Sequence, residues 1–269
     1  MLRTLDLYRR FIGVQLRSQL QYRFSFLLDT LGSVAVTGLE FSAIALVFQR
    51  FESIEGWSLA EVAFLYGLVE IAFGSMEIIF SGFDPRRFGE WIRRGTLDQL
   101  MLRPVSVTLQ VFGSDFALRR IGHTLIGIII FSYALSNADI SWTLTKLSYL
   151  PVVLASMILY FGGLFIVGAT LTFWTVEAVE TMNILTYGGS FLISYPMHIY
   201  DAWLRRLFTY IIPAIFLNYY PALYFLDKPD PFGLPAFAPF LSPVAGLIIF
   251  AASLAFWRYG LKNYQSTGT

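Results

Sequence analysis

Four carboxylates interrupt two long apolar runs near the start of the chain. Asp29 and Glu40 fall in the first run and Glu70 and Glu77 in the second, and neither apolar interior contains a lysine or arginine. A carboxylate at the centre of a bilayer costs about 2.5–3.5 kcal/mol on insertion scales, so each one calls for a water-filled path, a proton or a cationic partner. Asp29 and Glu40 are eleven residues apart, and Glu70 and Glu77 seven. At about 100° per residue, each pair lies within roughly 20° of one helical stripe. With opposite chain directions, Glu40 and Glu70 fall near mid-membrane and Asp29 and Glu77 nearer one end. Two such helices facing each other display two rungs of carboxylates, which suits a route or vestibule for amphipathic cations. The bland alternative is packing: the same groups protonated, or hydrogen-bonded to a partner subunit.

Other chemistry is sparse. The two histidines are His123, beside Arg119 and Arg120 at the end of an apolar run, and His198 in "HIYD" at 198–201, a spacing too common to mark an acid–base pair. Neither a metal-ligand cluster nor a serine-elbow motif occurs, and with no cysteine the chain has no disulfide or thiolate chemistry. No catalytic residue is assigned.

The elements that must position the carboxylates are membrane helices. Of the 269 residues 56% are hydrophobic and only 14% charged, against about 25% charged in soluble domains. A net charge of +1 gives no case for nucleic acid. Crossing the hydrocarbon takes about 20 apolar residues, and six stretches qualify: 25–49, 60–82, 117–136, 148–176, 181–199 and 238–258. The expected fold is an all-α integral membrane domain spanning 1–269.

Basic residues orient it. Arg3, Arg9, Arg10, Arg17 and Arg23 precede the first span. Arg86, Arg87, Arg93, Arg94, Arg103, Arg119 and Arg120 follow the second, and Arg258 and Lys262 follow the last. The opposite side holds Arg50, Lys146, Arg205, Arg206 and Lys228. The positive-inside rule then puts both termini and residues 83–116 in the cytoplasm of a multi-pass protein of the cell's inner membrane. The connection near Glu177 and Glu180 has no basic residue and gives the rule no support.

Residues 1–23 carry arginines throughout, unlike a cleavable signal. Arg3, Arg10 and Arg17 share one face and Leu5, Tyr8, Ile12 and Leu16 the other, the pattern of an amphipathic helix on the inner membrane surface. The stretch "LFTYIIPAIFLNYYPALYFL" at 207–226 is long enough to cross, but Pro213 and Pro221 would interrupt it twice, and a seventh crossing would put Arg258 and Lys262 outside. A re-entrant segment over 201–236, dipping in from the outer face, fits better, with its freed polar groups packed in protein or wetted. Tyr195, Tyr200, Trp203, Tyr210, Tyr219, Tyr220 and Tyr224 crowd the outer end as an interfacial belt or, alternatively, as cation-binding faces.

Between the second and third spans, "FGEWIRRGTLDQLMLRPVSV" at 88–107 breaks the apolar pattern. Asp84 with Pro85 starts a helix, Phe88, Trp91 and Ile92 gather opposite Arg86, Arg87, Arg93 and Arg94, and Gly95 ends it. Thr96 and Gln99 have capping-box spacing for a second short helix that Pro104 stops. Two capped helices in a cytoplasmic loop make a rigid elbow over 84–103. On pattern alone it could hold the loop against anionic lipid or act as a socket for another protein that pushes on the spans.

Taken together, "IRRGTLDQLMLRPVSV", "YPMHIYDAWLRRLFTYIIPAIFLNYYPALYFL" at 195–226 and the arrangement of six spans, amphipathic start, elbow and broken outer hairpin resemble the membrane subunits of ABC type-2 exporters. More narrowly, they resemble a bacterial ABC-2 permease family formerly described only as a domain of unknown function. The resemblance implies a coupling helix seated on a separate ATPase. The contact would run from Glu90 to Arg103, through Trp91, Arg93, Arg94, Thr96, Asp98 and Gln99. It also implies an outer broken segment capping the pathway, and a second permease chain, identical or paralogous. With no GxxxxGK[ST] loop, and with Lys146, Lys228 and Lys262 in no glycine setting, this chain binds no cofactor, and ATP and Mg²⁺ belong to the partner ATPase. The expected function is a permease exporting amphipathic compounds, cations among them, or lipid-like compounds. The alternatives are a membrane-embedded lipid-modifying enzyme and a channel or scaffold subunit.

Overall fold

A computed structural model describes residues 2–175 and 180–266, and among these all regular structure is helical apart from one isolated bridge between Ile54 and Trp57. Helix α1 (Leu2–Gln21) is amphipathic as its heptad of arginines predicts: Tyr8, Ile12 and Leu16 are half-buried while Arg10 and Arg17 are exposed. The side chains of Arg3 and Leu5 lie outside the described residues. A second stripe docks α1 onto protein, since Gln15 and Gln19 donate from Nε2 to the carbonyls of Ser114 and Phe116 at 2.6 and 2.5 Å.

Helix α2 (Arg23–Arg50) exposes most of its length. Helix α3 (Leu59–Phe80) is nearly all buried and forms the axis of the molecule. Its start is set by a capping box: Ser58 Oγ accepts from Glu61 N–H at 3.4 Å, and Glu61 Oε2 accepts from Ser58 N–H at 2.8 Å. A 3₁₀ turn, Ser81–Phe83, leads into α4 (Pro85–Arg93), α5 (Thr96–Met101) and α6 (Val107–Ser114). Helices α7 (Ile121–Asn137) and α8 (Leu144–Thr175) return along the bundle. Helix α9 (Glu180–Asn183) continues through a π turn into α10 (Gly189–Ile193). Short α11 (Ala202–Arg206) and α12 (Tyr219–Phe225) precede the last long helix, α13 (Ser242–Asn263).

Among the described residues four stretches are long and apolar enough to cross a membrane: Arg23–Arg50, Leu59–Arg93, Leu144–Thr175 and Ala238–Asn263. The remaining two of the six expected spans are shorter apolar helices. Helix α7 has 17 residues, or about 25 Å at 1.5 Å per residue, against about 30 Å of hydrocarbon. The run expected over 181–199 is helical only to Ile193, because Pro196 cannot continue the ladder; Glu177 lies outside the described residues.

Small residues let α7 approach α3 closely, as membrane helices do where packing rather than the hydrophobic effect drives association. A methyl group added at Gly67 would lie 2.7 Å from the Phe131 backbone nitrogen, and one at Gly127 would meet Glu70 and Ile71. Gly122 of α7 fits as tightly against Thr30 of α2. Two expectations change at the outer end. Pro213 does break the chain, at Ile212, but Pro221 sits in the first turn of α12, where the helix needs no N–H from it, and interrupts nothing. Tyr219 and Tyr220 are buried, so among the aromatic residues expected there Trp203 and Tyr210 are the ones widely exposed.

Candidate functional site

The elbow follows its local code with one exception. Asp84 accepts from the N–H groups of Arg86 and Arg87 at 3.0 and 3.2 Å, with Pro85 at the first helical position. Gly95 ends α4 at φ +63°, a left-handed conformation that glycine adopts without steric cost. The exception is Thr96. Gly95 itself occupies the cap position of α5, its carbonyl accepting from Gln99 N–H at 3.4 Å, and no side chain caps this helix. Thr96 is half-buried and Gln99 exposed, so the capping-box spacing does not form a box.

What makes the elbow stiff is its inner face. Phe88 and Ile92 are fully buried, and the Phe88 ring packs edge-on against Trp257 of α13 and Phe173 of α8 at 5.3 and 5.6 Å. Gly168 of α8 lets Pro85 in, since an added methyl would lie 2.5 Å from its ring. The far arm is pinned by Gln110, whose buried Nε2 donates to the carbonyls of Leu100 and Val105, both at 2.9 Å. The tail closes over α5: Ser266 Oγ donates to Asp98 Oδ2 at 2.8 Å, and burial beside Asp98 pushes the Tyr264 hydroxyl up to about 12.

The outer face of the elbow carries Glu90, Arg93, Arg94, Gln99 and Arg103, all exposed, with Trp91 half-buried beneath the Arg87 guanidinium. Glu90 and Arg94 pair at 3.5 Å across one turn. The tip presents Met101 and Leu102, the latter 86% exposed. The elbow thus presents an exposed apolar tip ringed by charge, on a base packed against α6, α8 and α13.

The carboxylates form one line rather than two rungs. Glu40 on α2 accepts from the Tyr66 hydroxyl of α3 at 3.3 Å. Glu70, one turn further along α3, is half-buried within electrostatic range of Glu40, Glu77 and His123 and has no hydrogen-bond or ion-pair partner among the described residues. Glu77 is 3% exposed: Arg120 Nη1 lies 3.1 Å from Oε1, Tyr187 donates to the same oxygen at 3.2 Å, and His123 Nδ1 stands 2.9 Å from Oε2, out of line for a hydrogen bond. Asp29 does not join them. It is exposed on α2 because α7, approaching through Gly122 at Thr30, separates that end of α2 from α3.

Beside Glu40 the helices part. A cavity of about 510 Å³ opens between α2, the start of α3 and the end of α10, lined by Ile44, Val47, Phe48, Val62, Phe191 and Tyr195 among others, with Glu40 as its one carboxylate. Behind the elbow a second, polar cavity of about 280 Å³ is lined by Glu77, Asp84, Arg87, Asp115 and Arg120; Arg87 and Asp115 are ion-paired across it. Sequence reasoning used Arg120 only as an orienting charge and left His123 and Tyr187 without a role, although an arginine and a histidine three residues apart at a span end were a signal. His198 shares a hydrogen bond at 3.2 Å with Tyr219, and no cluster that could hold a metal occurs among the described residues.

A family model described as "ABC-2 family transporter protein" matches residues 34–268. The chain belongs to that family. Among curated proteins none matches it. The matched range runs from the middle of α2 to the tail and takes in the elbow, Glu40, Glu70, Glu77 and the outer segment, leaving α1 and Asp29 outside. Membership makes the chain a membrane permease of the ABC transporter class, a family that implies association with ABC ATPases.

Proposed function

We propose that this ABC-2 permease exports amphipathic compounds, cations among them, and that the elbow from Glu90 to Arg103 is the surface on which its ATPase acts. In this reading six helical segments cross the membrane, α7 and the α9–α10 rod with them, both termini are cytoplasmic, and the segment over 201–236 re-enters from the opposite face. Elbow and outer segment sit at opposite ends of α3, as that topology requires. Asn218 supports the re-entrant assignment: its buried amide donates to the carbonyls of Leu65 and Ile193 at 3.1 and 2.8 Å, which pins the break before α12 against α3 and the end of α10 within protein. A second permease chain, identical or related, completes the transporter, and ATP and Mg²⁺ are held by the ATPases.

One observation carries the choice of cargo: the apolar cavity with the single carboxylate of Glu40 on its wall. Apolar walls receive a hydrophobic body, and one desolvated negative charge favours a compound that brings a positive one. Glu70 extends the same line inward, while Glu77, already neutralised by Arg120, forms its cytoplasmic end.

ATP-driven transport of a lipophilic dication into inside-out vesicles tests the assignment. Glu40→Gln and Glu70→Gln are each expected to lower it by about tenfold at low substrate concentration, the equivalent of one lost charge contact. Unchanged transport in both variants at normal expression removes the cation pathway.

A further inference from the structure

At the end of the bundle opposite the elbow, α11 and the π turn that follows it present a basic pocket that the transport reading does not use. Arg205, Arg206, Thr209 and Tyr210 form one wall and Tyr220, Phe232 and Leu234 the other, around a cavity of about 200 Å³. No carboxylate among the described residues pairs with either arginine. Asp201, one turn before Arg205, is exposed and makes no ion pair with it, and Asp230 is occupied elsewhere: its carboxylate accepts from the backbone N–H groups of Phe232 and Leu234 at 2.9 and 2.6 Å and from the Tyr220 hydroxyl at 3.1 Å. Arg205 is held in place by its guanidinium lying 5.0 Å over the Phe232 ring.

Two adjacent guanidiniums lining a small cavity, neither in an ion pair among the described residues, match a tetrahedral oxyanion, which they can bind with paired N–H donors. Trp203 and Tyr210, 66% and 75% exposed, flank the pocket, and such side chains settle at headgroup depth. These arginines also stand on the face that the charge bias leaves poor in basic residues, where a guanidinium pair is not needed for orientation. We infer that Arg205 and Arg206 bind a phosphate group, supplied by the headgroup of an anionic phospholipid in the leaflet opposite the elbow.

The test uses the purified full-length chain in detergent, delipidated and then titrated separately with phosphatidylglycerol, phosphatidylcholine and inorganic phosphate, with adducts counted by native mass spectrometry. Phosphatidylglycerol is expected to bind the wild type, and Arg205→Gln/Arg206→Gln to weaken that binding by about thirtyfold. Should the double variant unfold, the exposed Arg206→Gln alone is expected to lose about fivefold. Arginine-dependent binding of inorganic phosphate, with no added affinity for the lipid, would keep the phosphate site and overturn the lipid source. Equal phosphatidylglycerol binding by wild type and variants overturns the site itself, and does so whatever the cargo in the cavity beside Glu40.

Discussion

The ring of Phe88, on the elbow, meets the indole of Trp257, on the last long helix, at 5.3 Å and an interplanar angle of 68°. That edge-to-face contact ties a loop between two membrane helices to the far end of the chain. Trp257 is in turn held by its Nε1 donating to Thr108 Oγ1 at 2.9 Å, so one indole joins elbow, α6 and α13.

Truncating this pin is therefore expected to damage coupling as well as stability. Phe88→Ala should cost about 3–5 kcal/mol, read as a lower unfolding midpoint in detergent. Phe88→Leu, which keeps most of the volume, should cost less and retain substrate-stimulated ATPase activity in the assembled transporter.

Glu77 is the buried end of the carboxylate line, and its charge is matched by Arg120. Because Arg120 is 39% exposed, Glu77→Gln should destabilise by about 3 kcal/mol, the low end for a broken buried pair. Glu77→Gln/Arg120→Gln should recover part of the loss. A double-mutant cycle from thermal unfolding checks this, and additive losses would mean that the two groups do not interact.

The end of the bundle opposite the elbow has an acid-sensitive latch. Lys146, buried at the start of α8, donates to Asp227 at 2.7 Å and to the Phe225 carbonyl at 3.0 Å, and Ser141 also bonds Asp227. The Lys146 ammonium and the Ser141 hydroxyl hold the Asp227 carboxyl below its ordinary value. A group depressed in the folded state stabilises it above the unfolded pKa of about 3.9, and that stabilisation is lost as pH falls through the folded value. Unfolding midpoints should drop as pH falls below about 5 and on through the depressed Asp227 value, and the drop should be smaller in Asp227→Asn.

Local chemistry made the elbow legible from sequence, since Asp84, Pro85, Gly95 and the Phe88/Ile92 face each act within a few residues. Thr96 misled because the chain already turns at Gly95, and the left-handed glycine takes the cap position that the Thr96/Gln99 spacing advertised. The carboxylate stripes were legible as stripes, but their neighbours were not. Glu77 finds Arg120, His123 and Tyr187 only because glycines bring α7 against α3, and those same close approaches leave Asp29 outside. Such pairings depend on which helices touch, information that periodicity within a single helix does not hold.

The ATPase contact is tested most directly by charge reversal on the exposed face of the elbow. With the transporter purified through this chain, Arg93→Glu/Arg94→Glu should leave membrane insertion and the unfolding midpoint unchanged while the ATPase is lost from the preparation, or its hydrolysis no longer responds to substrate. Full retention of a substrate-stimulated ATPase by that variant would contradict the assignment of residues 90–103 as the surface through which nucleotide hydrolysis drives the permease.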